Sequence, residues 1–156
     1  MFGSTGAATV HAAVGGARSS VTIDASQTYL EWAGENLAAN GFSTLHHKLE
    51  RADVMPWLEQ CREQFDVVFC DPPTFSNNKS RDDFVVQRDH VELIRRIMKR
   101  VEKGGVMYFS NNFKKFKLDE FVSKWYQVED LTRWSTPPDF GQQGMPHHLF
   151  AIRHLE

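Results

Sequence analysis

Apolar positions along this chain alternate between two periods. Helix-like spacing of three to four residues gives way repeatedly to short β-branched or aromatic runs. Thr5 to Val14 is rich in alanine and predicts a helix closed by Gly15-Gly16. Ser20-Val21-Thr22-Ile23-Asp24 predicts a short strand ending on an acid. Ser26 is placed to cap a second helix that runs to about Asn40 and stops at Gly41, with Leu30, Ala33 and Leu37 on its apolar face and Trp32 beside them. Thr44 to Leu49 predicts a strand, and Asp53 opens a helix carrying Met55, Trp57 and Leu58. Phe65 to Asp71 predicts the central strand, covered on both faces because Phe, Val, Val and Phe leave no polar side. A polar loop from Asn77 to about Asp82 leads to a helix with Val91, Leu93, Ile94, Ile97, Met98 and Val101, which Lys103-Gly104-Gly105 ends. Val106 to Ser110 predicts another strand and Leu118 to Trp125 a short helix. Gln127 to Trp134 and His148 to His154 predict a closing strand pair joined by a Pro/Gly-rich loop.

This β-α-β-α order predicts an α/β fold, a mostly parallel sheet with helices on both faces and an antiparallel edge. A doubly wound sheet normally starts with a strand feeding a glycine-rich loop. Here the Gly/Thr-rich loop comes first, and Met1-Phe2 supplies at most the last residue of such a strand. The expectation is a single domain over residues 1–156 whose first strand is truncated, leaving unpaired edges in the middle of the sheet.

Composition narrows the function without naming it. The 156 residues are 41% apolar and 24% charged, which suits one globular domain with a sizeable core. A net charge of −2 excludes a binder of nucleic acid by bulk charge and leaves a local basic face open. Cys61 and Cys70 are two isolated thiols, which points to a reducing compartment and no disulfide framework. No apolar run approaches the roughly 18 residues of a membrane span. These observations predict a cytoplasmic protein without a membrane partner. The seven histidines have no ligand spacing, and the pairs His46-His47 and His147-His148 would point to opposite faces of a strand, so no metal is expected.

The richest chemistry sits at Cys70-Asp71-Pro72-Pro73-Thr74-Phe75-Ser76. Two prolines end the strand because neither donates a backbone N–H. Ligands in open α/β sheets bind just beyond the carboxyl ends of the strands. A carboxylate, a rigid backbone, a hydroxyl and an aromatic therefore fall where chemistry is usual. Other segments join it: Phe2-Gly3-Ser4-Thr5-Gly6-Ala7-Ala8, Gly15-Gly16-Ala17-Arg18, Asp24 with Tyr29 to Ala33 and Asn36-Leu37, Arg51-Ala52-Asp53, Val86-Gln87-Arg88-Asp89-His90 and Phe109-Ser110-Asn111-Asn112.

Together these segments resemble the class I S-adenosylmethionine-dependent methyltransferases. More closely, they resemble the C-terminal, guanine-N7 methylating domain of the bifunctional bacterial large-subunit ribosomal RNA methyltransferases K/L. The resemblance runs from the first residues to about Asn112, and the N-terminal partner domains of that family lie outside this chain. It implies a Rossmann-like sheet, S-adenosyl-L-methionine as cofactor and 23S ribosomal RNA as substrate and partner. It also implies that Thr5 and Gly6 form the turn over the cofactor, that Asp24 accepts both ribose hydroxyls, that Asp53 meets the adenine amino group and that Asp71 borders the cofactor. Asp71, Pro72, Thr74 and Asn111 would be the catalytic, acceptor-shaping residues. Phe75, Lys79, Arg81, Arg88, Asn112, Lys114 and Lys115 would meet RNA, with Lys117, Phe113 and Phe116 interleaved. Each has a plainer reading: Asp24 and Asp53 as charges or caps for the helices that follow, Phe75 as core, the asparagines as a turn, the lysines as a solvated face.

The acceptor is read from departures. Relatives that methylate exocyclic amines carry an aromatic directly after the prolines; here Thr74 stands there and Phe75 follows. Cytosine C5 methylation needs a cysteine for covalent attack. This chain has Ser110-Asn111-Asn112 at the next strand end, and Cys70 reads as pointing into the sheet. Guanine N7 carries an in-plane lone pair and loses no proton, so alignment and exclusion of water suffice. The expected reaction is therefore in-line methyl transfer to guanine N7 without a covalent enzyme intermediate. Three alternatives stay open: another acceptor such as cytosine C5 or guanine N2, a nicotinamide-dinucleotide oxidoreductase, and an inactive fragment that folds, as a homodimer covering the sheet centre, yet binds nothing.

Overall fold

The computed structural model describes residues 1–76, 84–140, 144 and 146–156. The chain forms two compact units, Met1–Gln60 and Cys61–Glu156. The first holds α1 (Ala7–Val14), β1 (Ser20–Asp24), α2 (Gln27–Ala39), β2 (His47–Arg51) and α3 (Val54–Gln60). Strands β1 and β2 pair in parallel, with Ser20 opposite His47 and Asp24 opposite Arg51. The crossover between them is α2, whose limits follow from local chemistry. The Ser26 hydroxyl accepts the Tyr29 N–H at its start, a cap worth about 1 kcal/mol. At its end Gly41, with φ of 80°, lets the Phe42 N–H return to the Leu37 carbonyl at 2.9 Å. Ala33 and Leu37 on α2 are fully buried, and a buried Thr9–Thr22 hydroxyl pair at 2.6 Å ties α1 to β1.

Gly6 opens α1 at φ of 75°, and a Cβ there would lie 2.6 Å from the Ala33 Cβ. Close approach of α1 to α2 therefore depends on a bare Cα. Gly6→Ala is expected to destabilise the protein by about 2–4 kcal/mol, the sum of a left-handed penalty and overpacking, read as a lower midpoint in urea.

The second unit holds β3 (Phe65–Cys70), β4 (Phe75–Ser76), β5 (Phe84–Val85), α4 (Val86–Met98), β6 (Val101–Asn111), α5 (Glu120–Trp125), β7 (Tyr126–Asp130), α6 (Thr132–Ser135) and β8 (His148–His154). Four strands form one sheet in the order β3-β6-β8-β7, and β4 pairs with β5 in a separate antiparallel ladder. β3 and β6 are parallel, while β8 runs antiparallel to both β6 and β7. Met107 and Phe109 of β6 are fully buried, as are Leu93, Ile94 and Ile97 of α4, which packs on that strand. The α/β class, the parallel pairing and the antiparallel edge match expectation.

Several elements differ from the sequence expectation. Lys103-Gly104-Gly105 lies within β6, where the register against β3 shifts between Phe65 and Val67; Gly105 passes so close to the Asp66 carbonyl that a Cβ would sit at 2.7 Å. A glycine pair thus makes an irregularity in a strand, not a helix end. The Gln127–Trp134 strand stops at Asp130, whose carboxylate accepts the Thr132 N–H and starts the turn of α6. The second strand begins at His47, after a turn in which the His47 N–H reaches the Ser43 carbonyl. β3 is not covered on both faces: Val68 and Cys70 are buried, while Val67 and Phe69 are 59% and 40% exposed. Among the described residues, no strand pairs with β1 on the edge away from β2, or with β3 on the edge away from β6. No helix among the described residues is long and apolar enough to cross a membrane.

Candidate functional site

In the first unit the Phe2–Gly6 loop adopts left-handed backbone at two non-glycine residues, Phe2 (φ 56°) and Ser4 (φ 46°). Such conformations are costly and cluster at functional sites. Asp24, at the carboxyl end of β1, holds this one. Its Oδ2 accepts the Ser4 N–H at 2.9 Å and its Oδ1 the Ser26 N–H at 2.8 Å. Each carboxylate oxygen offers two lone pairs, so one acceptor position per oxygen remains on a side chain that is partly exposed. Gly3 joins the same strand end through its N–H to the Ile23 carbonyl at 3.1 Å. Thr5 is exposed and its carbonyl accepts the Asn36 amide at 2.9 Å. Gly6 is buried and starts α1 without a side-chain cap. Asp53 is exposed immediately before α3. A carboxylate with two free acceptor positions suits a vicinal diol.

In the second unit the Asp-Pro-Pro turn follows β3 directly. Cys70, the last strand residue, is fully buried, and burial pushes its thiol up to about 12, so it stays protonated and unreactive near neutral pH. Asp71 is partly buried, and desolvation raises its carboxyl above the usual range, opposed by a hydrogen bond from Ser110 and by the nearby His147. His147 is itself fixed by a 2.7 Å bond between its Nε2 and the Ser135 Oγ. Pro72 is buried, and Thr74 gives its carbonyl to the Val86 N–H at 3.0 Å, joining the turn to the start of α4. Phe75 is 65% exposed and so is not core.

Residues 110 to 112 divide by the alternation of β6. Ser110 turns to Asp71. Asn111 is fully buried, its Oδ1 accepts the Phe113 N–H at 3.1 Å, and its Nδ2 finds no partner among the described residues. A buried donor left in that condition costs about 1–3 kcal/mol. Asn112, Lys114 and Lys115 are exposed, whereas Phe116 is 5% exposed and packs edge-on to His90 at 4.8 Å. Phe116 is therefore an anchor, and the interleaved aromatic available for stacking is not this one. Arg88 is exposed and holds Asp89 with two hydrogen bonds of 2.7 and 2.9 Å. Lys79 and Arg81 lie outside the described residues. Among the described residues no group of three or more His, Cys, Asp or Glu side chains could hold a metal ion.

The structure thus joins Asp24 to the glycine loop, and Asp71 to Ser110. Ser110, His147 and Ser135 were not singled out from sequence as site residues. Strand alternation could have found Ser110, since it lies one residue before Asn111; the histidine, just before β8, and Ser135, at the end of α6, are brought near only by the fold.

Comparison with known proteins follows the same lines. The chain is 62% identical, over its whole length, to the ribosomal RNA large subunit methyltransferase K/L of Alcanivorax borkumensis. It is 51% identical over 98% of its length to the protein of the same name from Pseudomonas entomophila. It spans 22% and 21% of those two proteins, about a fifth of the curated relatives it matches. Among solved structures, a methyltransferase crystallised in complex with SAH superposes with a TM-score of 0.80 at 24% identity, covering 97% of this chain and 43% of the other. A SAM-dependent methyltransferase from Agrobacterium tumefaciens gives 0.73 at 17% identity, covering 100% and 55%. The chain has the class I methyltransferase fold. A family model described as Conserved hypothetical protein 95 matches residues 1–130, and the chain belongs to that family.

Proposed function

We propose that this chain is the S-adenosylmethionine-binding, methyl-transferring part of a large-subunit ribosomal RNA methyltransferase, acting on guanine N7. The observation that carries this reading is the Asp71-Pro72-Pro73 turn at the carboxyl end of β3, with Asp71 hydrogen-bonded to Ser110. Likeness to the K/L methyltransferases over the whole chain supports the substrate class. Asp24 would accept the ribose hydroxyls, with Thr5, Gly6 and Asp53 around the rest of the adenosyl group. Bound S-adenosylmethionine supplies an activated methyl group on sulfur. Asp71 would hold the base: a carboxylate with two acceptor oxygens matches the N1–H and N2–H donors of guanine, across the ring from N7. Pro72 and Thr74 set the turn, and the orphaned Nδ2 of Asn111 is a donor in reserve at the neighbouring strand end. Methyl transfer to N7 needs no proton acceptor, since N7 has no proton to lose. Buried, protonated Cys70 speaks against covalent activation of cytosine by this thiol. Phe75 offers an exposed ring to stack on a base, and Asn112, Lys114, Lys115 and Arg88 offer a polar and basic rim.

The test is incubation of this chain with methyl-labelled S-adenosylmethionine and unmodified ribosomal RNA, with the product cleaved chemically at N7-methylguanine. Label at a guanine N7 supports the assignment, and label at an amine or at cytosine C5 overturns the acceptor. A second reading, an inactive self-associated fragment, is favoured by the edges of β1 and β3 that no strand covers among the described residues and by exposed Val67 and Phe69. Its signature is a dimer in sedimentation that binds cofactor with no measurable affinity.

A further inference from the structure

We propose that Gln87 and His90, one turn apart on α4, are positioning residues that clamp the basic loop 112–119 in its RNA-binding form, and that the imidazole does so only while neutral. The proposal rests on the reading above that this loop meets RNA. Gln87 makes a reciprocal pair with the Lys117 backbone: Nε2 donates to the carbonyl and Oε1 accepts the N–H, both at 2.9 Å. His90 accepts the Asp119 N–H on Nε2 at 3.0 Å. Phe116, directly before the first of these anchor points, packs on the His90 ring and lies 5.8 Å from Phe109. The loop is thus gripped at Phe116, Lys117 and Asp119, and Asn112, Lys114 and Lys115 are left exposed. The same helical turn carries the other side of the site. Val86 N–H meets the Thr74 carbonyl, and Asp89 accepts the Val85 N–H at 2.7 Å. One turn of helix therefore connects the Asp-Pro-Pro turn to the basic loop, and loop placement is shared between them.

The tautomer of His90 follows from its partners. Nδ1 faces the carbonyls of Val86 and Gln87 at 3.0 and 3.1 Å, which only accept, so it carries the hydrogen. Nε2 faces an N–H and must keep its lone pair. A second proton would set two donors against each other and release Asp119. Burial lowers the affinity of His90 for that proton, opposed by its Val86 and Gln87 hydrogen bonds and by the carboxylates of Asp119 and Asp89. His148, on β8, faces the other side of Phe116. The folded imidazole titrates below the unfolded one, so clamp stability is full above the ordinary histidine range, near pH 6.5, and drains away as pH falls through the folded value.

The experiment measures affinity of the full chain for a guanine-containing single-stranded oligoribonucleotide at low salt, from pH 5 to 8, beside amide exchange of Lys117 and Asp119. A paired Lys114→Ala, Lys115→Ala variant establishes the loop as the contact. Gln87→Ala, at a half-buried surface site, tests the clamp without disturbing the core. His90→Gln keeps an acceptor that cannot titrate. Loss of the Gln87 pair is expected to speed Lys117 exchange and to weaken RNA binding by roughly fivefold to tenfold, the worth of such hydrogen bonds. The ratio of His90→Gln to unaltered affinity is expected to rise as pH falls below about 6.5. Lysine-dependent binding that Gln87→Ala leaves unchanged, or a ratio flat with pH, overturns the proposal alone. Absence of lysine-dependent binding by the unaltered chain overturns the RNA reading of the loop, and the proposal with it.

Discussion

Asp24→Ala is expected to abolish measurable S-adenosylmethionine binding to this chain. Asp24 meets the Ser4 and Ser26 N–H groups and retains one acceptor position on each oxygen. Two charge-assisted hydrogen bonds to a ribose diol are worth about 1.5–3 kcal/mol each, so their joint loss weakens affinity by roughly 10²–10⁴. The substitution also frees Ser4 from the contact that holds its left-handed backbone, and the Phe2–Gly6 loop is expected to lose its shape. Calorimetric titration checks this, with a nicotinamide dinucleotide as the control ligand. Affinity within a few-fold of the unaltered chain would move the ribose away from Asp24. Preference for the dinucleotide would replace the methyltransferase reading with an oxidoreductase one.

Asp71→Asn is expected to cut methyl transfer by about 10–10², the worth of one charge-assisted hydrogen bond to the base, and at the same time to raise the melting temperature. The second effect comes from burial. Burial raises the Asp71 carboxyl above its unfolded value. The folded state therefore binds the proton more tightly than the unfolded one. Stability contributed by this group is full below the unfolded carboxylate range and is lost as pH rises through the folded value. Asparagine cannot ionise, so the variant should escape that loss at neutral pH, and its advantage should vanish in acid. Ser110→Ala provides the complementary result. It removes the hydrogen bond that favours the carboxylate, so the acid limb of the pH–rate profile should move to higher pH. Thermal melts of Asp71→Asn across pH, and rates of both variants, decide the matter. An unchanged melting temperature at neutral pH would mean the carboxylate is well solvated. An unchanged rate would remove Asp71 from the acceptor site.

Much of the fold was legible because its signals are local. Ser26 and Gly41 bound α2 with one hydroxyl and one left-handed residue, and both effects act within a few residues of chain. The acid ending β1 and the prolines ending β3 likewise mark strand ends by their own chemistry. Gly104-Gly105 misled because glycine marks any departure from regular backbone. Its role inside β6 is set by close passage to Asp66 on β3, a contact across the sheet. The basic loop was equally ambiguous. Phe113, Phe116 and three lysines in five residues look alike as a string, and packing against the His90 ring is what makes Phe116 an anchor while Lys114 and Lys115 stay outward.

The sequence by itself determined the α/β order, the placement of Asp24 and Asp71 at strand ends and the family likeness. Caps, turn residues and periodicity are properties of neighbours along the chain. Only the tertiary structure decided which side chains those ends present. Ser110 meets Asp71 while Asn111 turns inward, since successive strand residues face opposite sides and the neighbour on each side is supplied by distant elements. It also decided that Val67 and Phe69 stand exposed on β3, although their composition predicts burial. Hydrophobicity states a preference for cover, and the packing of other elements determines whether cover is present.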